Sequence, residues 1–234
     1  MLIFAHRGAS AYAPENTLAA IRKALELKVD GIEIDVHQVE QGLVVIHDRW
    51  VHRTTNGKGQ LRDHSLASLQ TLDAGLGEHV PSLLQVLQLI AGRCLLNIEI
   101  KGVNDLSLLQ EHIEIAVEKY HFSLDQIIVS SFDHHLLRAL KTTLTRVKIG
   151  ALTATKPIDY AAFAQTLQAY SVNADVSFLD EAFVADAHQR GLKVYVYTVD
   201  EPADLLELTQ WGVDGVFSNA PDKAKAYVAS LEPR

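Results

Sequence analysis

Apolar residues along the chain follow two alternating rhythms. Short runs rich in β-branched residues predict strands, and longer stretches with apolar positions three and four apart predict amphipathic helices. The first run, residues 2–5, stops abruptly at His6-Arg7-Gly8. A loop carrying Pro14-Glu15-Asn16 leads to a helix over 17–28, with Leu18, Ile21 and Leu25 on one face. A second strand covers 31–36. There Glu33 and Asp35 share one face and Ile32, Ile34 and Val36 the other, because strand side chains alternate. No helix follows it directly. Gln41-Gly42 signals a turn and 43–46 is apolar again, so 31–48 reads as a hairpin that returns His47 toward the end carrying the two acids. Residues 48–81 are polar and glycine-bearing, with a short helical pattern near 66–72. Excursions of this length inside compact domains are usually lids or binding loops.

Regular alternation then resumes. Helices at 82–91, 107–120, 134–143, 160–169, 181–191, 203–211 and 222–231 separate strands at 95–100, 127–131, 148–152, 172–176, 194–198 and 215–218. With the hairpin as an excursion, about eight strand–helix units remain, which predicts an α/β fold of the (β/α)8 TIM-barrel type with a small insertion after the second strand. An open doubly wound sheet is the competing architecture, but no Gly-x-Gly-x-x-Gly turn follows the first strand. No linker divides the chain, so one domain is expected over 1–234, with the insertion at about 48–81.

In such a barrel the C-terminal strand ends gather at one rim. The sequence puts His6 and Arg7, Glu33 and Asp35, Glu99 and Lys101, Ser131 and Phe132, Asp175 and Ser177, Tyr197, and Ser218 and Asn219 at those ends. Two carboxylates side by side on a strand repel each other and are costly to bury unpaired. Glu33, Asp35 and Glu99 therefore suggest a divalent-cation site, since hard cations prefer carboxylate oxygens. His6 and His47 suit acid–base work near neutral pH. Arg7 and Lys101 suit a phosphate, one as a planar fork and the other as a point charge. Asp48 is expected to point away from the His47 ring if its strand is regular. His37, His52, His64, His79, His112, His121, His134, His135 and His188 show no paired spacing and read as surface or loop residues; Trp50 and Trp211 read as packing residues.

Bulk properties narrow the partners. With 234 residues, 48% of them hydrophobic, the chain can bury a full core. A net charge of −8 disfavours nucleic acid. One cysteine, Cys94, excludes an internal disulfide, sits in an apolar run as core filler and fits a reducing, cytoplasmic setting. No run approaches the length of a membrane span, so no stable membrane insertion is expected. No zinc pattern, Walker loop or Gly-x-Ser-x-Gly elbow occurs.

Taken together, His6-Arg7-Gly8, Pro14-Glu15-Asn16-Thr17, Glu33-x-Asp35-Val36, His47-Asp48, Glu99-Ile100-Lys101, Ser131-Phe132 and Gly212-Val213-Asp214-Gly215 resemble the glycerophosphodiester phosphodiesterases. The resemblance spans essentially the whole chain. It implies a PLC-like phosphodiesterase barrel that hydrolyses glycerophosphodiesters to an alcohol and sn-glycerol 3-phosphate with a divalent metal, magnesium or calcium, with manganese also admissible. It further implies His6 and His47 as general acid and base, and Glu33, Asp35 and Glu99 as metal ligands. Arg7, Glu15, Lys101, Phe132 and Tyr197 would line the substrate, Glu15 supporting the metal or glycerol side. Tyr197 stands where such proteins often carry tryptophan, and Ser218-Asn219 where an aspartate is common. Other readings are a phospholipase-C- or lysophospholipase-D-like enzyme on lipids, a Schiff-base aldolase using Lys101, and a non-catalytic phosphodiester-binding barrel.

Overall fold

The computed structural model describes residues 1–231. The last three positions of the expected domain, 232–234, lie outside the described residues. Eight parallel strands form the barrel: β1 (Leu2–Ala5), β2 (Gly31–Val39), β4 (Leu95–Gly102), β5 (Ile127–Ser131), β6 (Lys148–Thr153), β7 (Ser171–Asp175), β8 (Lys193–Tyr197) and β9 (Gly215–Ser218). Closure comes from β1, which pairs with β9 on one side and β2 on the other. The ninth strand, β3 (Gly42–Val45), runs antiparallel on the outer half of β2. The expected hairpin is therefore present. Val39 pairs with Gly42, so the turn consists of Glu40 and Gln41, and Glu40 rather than the glycine takes the positive φ of 50°.

Helices α1 (Leu18–Glu26), α3 (Leu83–Ile90), α4 (Leu106–Lys119), α5 (His134–Thr143), α6 (Ala162–Thr166), α7 (Glu181–Gln189), α8 (Pro202–Gln210) and α9 (Pro221–Leu231) follow the barrel strands, and the short α2 (Leu66–Leu69) lies in the insertion. Local chemistry sets their ends. Thr17 accepts from the Ala20 amide to cap α1, and Ser82 and Gln85 form a reciprocal capping box on α3. Helix α6 is shorter than the predicted 160–169, because Tyr160 and Gln168 adopt left-handed φ values and Ala161 has no side chain to cap with.

Alternation in the strands divides the core. Ile32, Ile34 and Val36 face outward onto the helices, whose apolar faces bury Ile21, Leu83, Leu87 and Leu109. Inside the barrel, Phe4, Ile128, Tyr195 and Phe217 close the bottom. Each such fully buried side chain contributes about 1.5–3 kcal/mol. The insertion has its own apolar cluster, including Val44, Val51, Leu61 and Leu69, which anchors it on the hairpin. Cys94 is buried and burial pushes its thiol up to about 12, in keeping with core filler. Trp211 packs on the core as expected, whereas Trp50 is exposed beside His52. Two histidines read as surface residues are buried: His112 bonds back to the Leu108 carbonyl within α4, and His37 reaches the His47 carbonyl. Their backbone partners lie four and ten residues away, a pairing that histidine spacing alone does not reveal.

Candidate active site

The cluster of acids follows from strand register. Glu33 and Asp35 lie on the inner face of β2, and parallel pairing sets Asp35 beside Glu99 and Glu33 beside Asn97. One oxygen from each of Glu33, Asp35 and Glu99 lies within 4.8 Å of the others. Their environments differ. Asp35 accepts from Asn16 Nδ2 at 2.9 Å and forms ion pairs with Lys101 Nζ at 3.2 Å and Arg7 Nε at 3.3 Å. Burial opposes its charge, yet Lys101 and Arg7 override it and hold the carboxyl below its usual range. Glu33 accepts the Arg7 amide at Oε2, while its buried Oε1 has no hydrogen-bond partner. Burial, then Asp35 and Glu99, push its carboxyl well up. Glu99 bonds Lys101, but burial and Asp35 still raise it. The acids push Lys101 and Arg7 above their ordinary values despite burial, so both stay charged and Lys101 is a poor Schiff-base nucleophile.

Arg7 reaches this position through an unusual backbone. It has φ of 56° and Gly8 follows at 77°, and a Cβ on Gly8 would lie 2.7 Å from the Ala20 carbonyl carbon. Only glycine fits there without displacing α1. The turn directs both the amide and the guanidinium of Arg7 at the acids.

The two imidazoles border the same cavity, of about 510 Å³, that Glu33, Glu99 and Lys101 line. His6 Nδ1 lies 2.8 Å from Asn219 Oδ1, and Asn219 Nδ2 in turn donates to Asp200 at 2.6 Å. The amide oxygen requires a proton on Nδ1, which leaves Nε2 of the neutral ring as an acceptor. Burial and Arg7 lower the His6 pKa and favour that neutral form. His47 Nδ1 lies 2.5 Å from Asp48 Oδ1, so Asp48 is the ring's partner, contrary to the alternation argument. Strand β3 ends at Val45, and beyond it the chain no longer alternates.

Other expected positions separate. Phe132 and Tyr197 meet edge-on at 6.1 Å at the cavity mouth, where Lys101 Nζ sits 5.9 Å from the Phe132 ring. Tyr197 donates its hydroxyl to Thr153 and burial raises its pKa. Ser131 is buried, bonded to the Ile100 carbonyl, and does not face the cavity. Glu15 stands apart from the three acids, between Arg7 at 2.8 Å and both arms of Arg53. Burial opposes its charge, and the two guanidiniums nevertheless hold the carboxyl low.

Arg53 is the residue that sequence patterning missed. Its Nε approaches Asp48 Oδ2 at 2.5 Å while its terminal nitrogens grip Glu15, which ties the insertion to His47 through Asp48 and to Arg7 through Glu15. Arg53 and His47 hold Asp48 down at about 2. Sequence patterning likewise gives Asn16, Asp200 and Asn219 no role. Asn16 had a visible signal in the Pro14-Glu15-Asn16-Thr17 loop, where its left-handed φ of 58° suits asparagine.

The family model described as the glycerophosphoryl diester phosphodiesterase family matches residues 6–223. A glycerophosphodiester phosphodiesterase of Caldanaerobacter subterraneus subsp. tengcongensis is 38% identical over 231 residues, covering 94% of this chain and 95% of its own. One from Bacillus subtilis is 33% identical, over 95% of this chain and 84% of its own. The structure of an Oleispira antarctica phosphodiesterase in complex with the product sn-glycerol-3-phosphate superposes with a TM-score of 0.88 at 31% identity, covering 98% of this chain and 97% of the other. The barrel is thus of the PLC-like phosphodiesterase type. Among the described residues no helix is long and apolar enough to cross a membrane. By sequence and by architecture the chain belongs to the glycerophosphoryl diester phosphodiesterase family and is a phosphoric diester hydrolase.

Proposed function

We propose that the chain hydrolyses glycerophosphodiesters to an alcohol and sn-glycerol 3-phosphate, with a divalent cation held by Glu33, Asp35 and Glu99, and that 1–234 acts as one catalytic domain with 48–81 over its mouth. The observation that carries this reading is the convergence of three acids, two cations and two imidazoles on one barrel rim. The acids fit such an ion. Glu33 Oε1 is buried without a partner, and three carboxylates against Arg7 and Lys101 leave one surplus negative charge. A divalent cation would turn that surplus into one positive charge, the complement of a phosphodiester. Oxygen-only ligands suit magnesium or calcium, with manganese also accepted. When bound, the ion supplies Lewis-acid polarisation of a phosphoryl oxygen.

The chain's own groups supply the proton transfers. Neutral His6 accepts at Nε2 the proton of the group that attacks phosphorus, water itself or the glycerol 2-hydroxyl, in which case water then opens the cyclic phosphate formed; Asn219 fixes its ring. His47, oriented through Nδ1 by Asp48, delivers a proton from Nε2 to the leaving alkoxide. The Arg7 fork and the Lys101 ammonium offset charge on the non-bridging oxygens. Phe132 and Tyr197 wall the substrate at the mouth.

A coupled assay for released glycerol 3-phosphate tests the reading. Glycerophosphodiesters are expected to turn over and a lysophospholipid to be hydrolysed at least tenfold more slowly (about 1.4 kcal/mol in transition-state binding). Preference for the lipid, or no release from any glycerophosphodiester, would overturn it. Arg53 gives a further expectation. Arg53→Ala should lower kcat about tenfold with a smaller change in KM, because it loosens His47 and Arg7 without touching the phosphate. Arg53→Lys should recover only part, since an ammonium cannot bridge two carboxylates as a fork. A KM-only effect would remove Arg53 from this role.

A further inference from the structure

We infer that the alcohol arm of the substrate binds in a second cavity beside His47, walled by Arg49, Trp50 and His52, and that this cavity selects alcohols bearing a negative charge of their own. The inference rests on the hydrolytic reading above and deepens it.

A phosphodiester has two ester arms, and the rim has two cavities. The first, of about 510 Å³, and the second, of about 640 Å³, share only His47 and Lys101. A phosphorus held between those two side chains sends one arm into each. The first has a polar floor: Asn97 and Asn173 are buried there, with Asn97 Oδ1 and Asn173 Nδ2 lacking partners. Unpaired buried amide groups suit a hydroxyl-rich arm, which is glycerol.

The second cavity differs in both shape and charge. Trp50 is 40% exposed and meets His52 edge-on at 5.9 Å, giving an apolar wall. Arg49 is exposed and makes no ion pair among the described residues, while Arg53 and Lys101 are already bonded to acids. Asp48 is the one carboxylate lining this cavity, and with Arg53 held by Asp48 and Glu15 and Lys101 by Glu99 and Asp35, Arg49 is, among the described residues, the lining cation left without an acid. The first cavity has no such free cation: Glu33, Glu99 and Asp175 line it against Arg7 and Lys101, both of which are paired with acids. An unpaired guanidinium beside an exposed indole, on a chain of net charge −8, is a local feature and not a reflection of bulk charge. An exposed indole alone would also suit a quaternary ammonium. The free guanidinium next to it repels such a group and forks onto a phosphate or carboxylate instead.

The test compares three substrates with the full chain in magnesium: glycerophosphoglycerol carrying a distal phosphate, glycerophosphoglycerol itself, and glycerophosphocholine. The kcat/KM values are expected to fall in that order, with about fivefold between neighbours, the size of one partly exposed ion pair. High salt should compress the series. Arg49→Glu should invert the order of the first and third substrates, and Arg49→Lys should keep it. Equal kcat/KM across the three, or a wild-type order that Arg49→Glu leaves intact, would overturn the inference alone. A wild type that turns over none of them would overturn the hydrolytic reading and this inference with it.

Discussion

His6→Ala and His47→Ala are each expected to lower kcat by about 10²–10⁴-fold, the usual contribution of a positioned acid or base, with the melting temperature nearly unchanged. That range corresponds to about 2.7–5.5 kcal/mol of transition-state stabilisation. Each ring is held at Nδ1 by a side chain, His6 by Asn219 and His47 by Asp48. The two proton transfers belong to one reaction, so the double variant should be far less than multiplicative. The pH profile separates the roles. Burial and Arg7 move the His6 pKa below its ordinary 6.5, and protonated His6 cannot accept a proton. With magnesium saturating at every pH, the acid-side decline of kcat/KM should therefore lie below pH 6.5 in the wild type and vanish in His6→Ala. Steady-state kinetics beside thermal melts check this. Near-normal turnover in either folded variant would strip that histidine of its role.

The fold was legible because its signal is local. Period-two alternation at Ile32-Glu33-Ile34-Asp35-Val36 and helical spacing at Leu18, Ile21 and Leu25 are readable within a single element. The same alternation aims Glu33 and Asp35 inward, and it misleads once β3 ends, where Asp48 bonds the His47 ring instead of pointing away from it. What the sequence could not show is pairing between distant segments. Asp35 meets Glu99 through strand register, His6 meets Asn219 across 213 positions, and Glu15 meets Arg53 across 38. None of these pairs has a periodic trace. Asp200, three residues beyond β8, accepts from Ser218 and Asn219, the side chains at the end of the last strand. Through Asn219 it holds the His6 ring, a link between residues 6, 200 and 219 that no local pattern shows.

Chelation of the divalent cation is expected to abolish turnover, and magnesium, calcium or manganese to restore it. The cause is electrostatic and lies in the buried acids of the metal-free protein. Burial and neighbouring acids raise Glu33 and Glu99 above their ordinary 4.5, so in the folded state they hold protons that the unfolded chain has released. Stability of the metal-free protein then falls as pH rises above about 4.5 and through the folded-state values. Asp35 acts in the other direction, its contribution complete above 3.8 and lost as pH falls, so it does not mask the decline. A cation bound by ionised carboxylates must displace those protons, so its affinity should strengthen with pH by up to about tenfold per unit for each proton released. At a cation concentration of about a hundred times Kd the stabilisation is about 2.7 kcal/mol, or roughly 5–10 °C in Tm for a chain of this size. The Tm increment should grow from pH 5 to pH 8, a readout independent of turnover. Full activity in EDTA, with a melting temperature indifferent to added magnesium, would leave Glu33, Asp35 and Glu99 as ion-pair partners of Arg7 and Lys101 and nothing more.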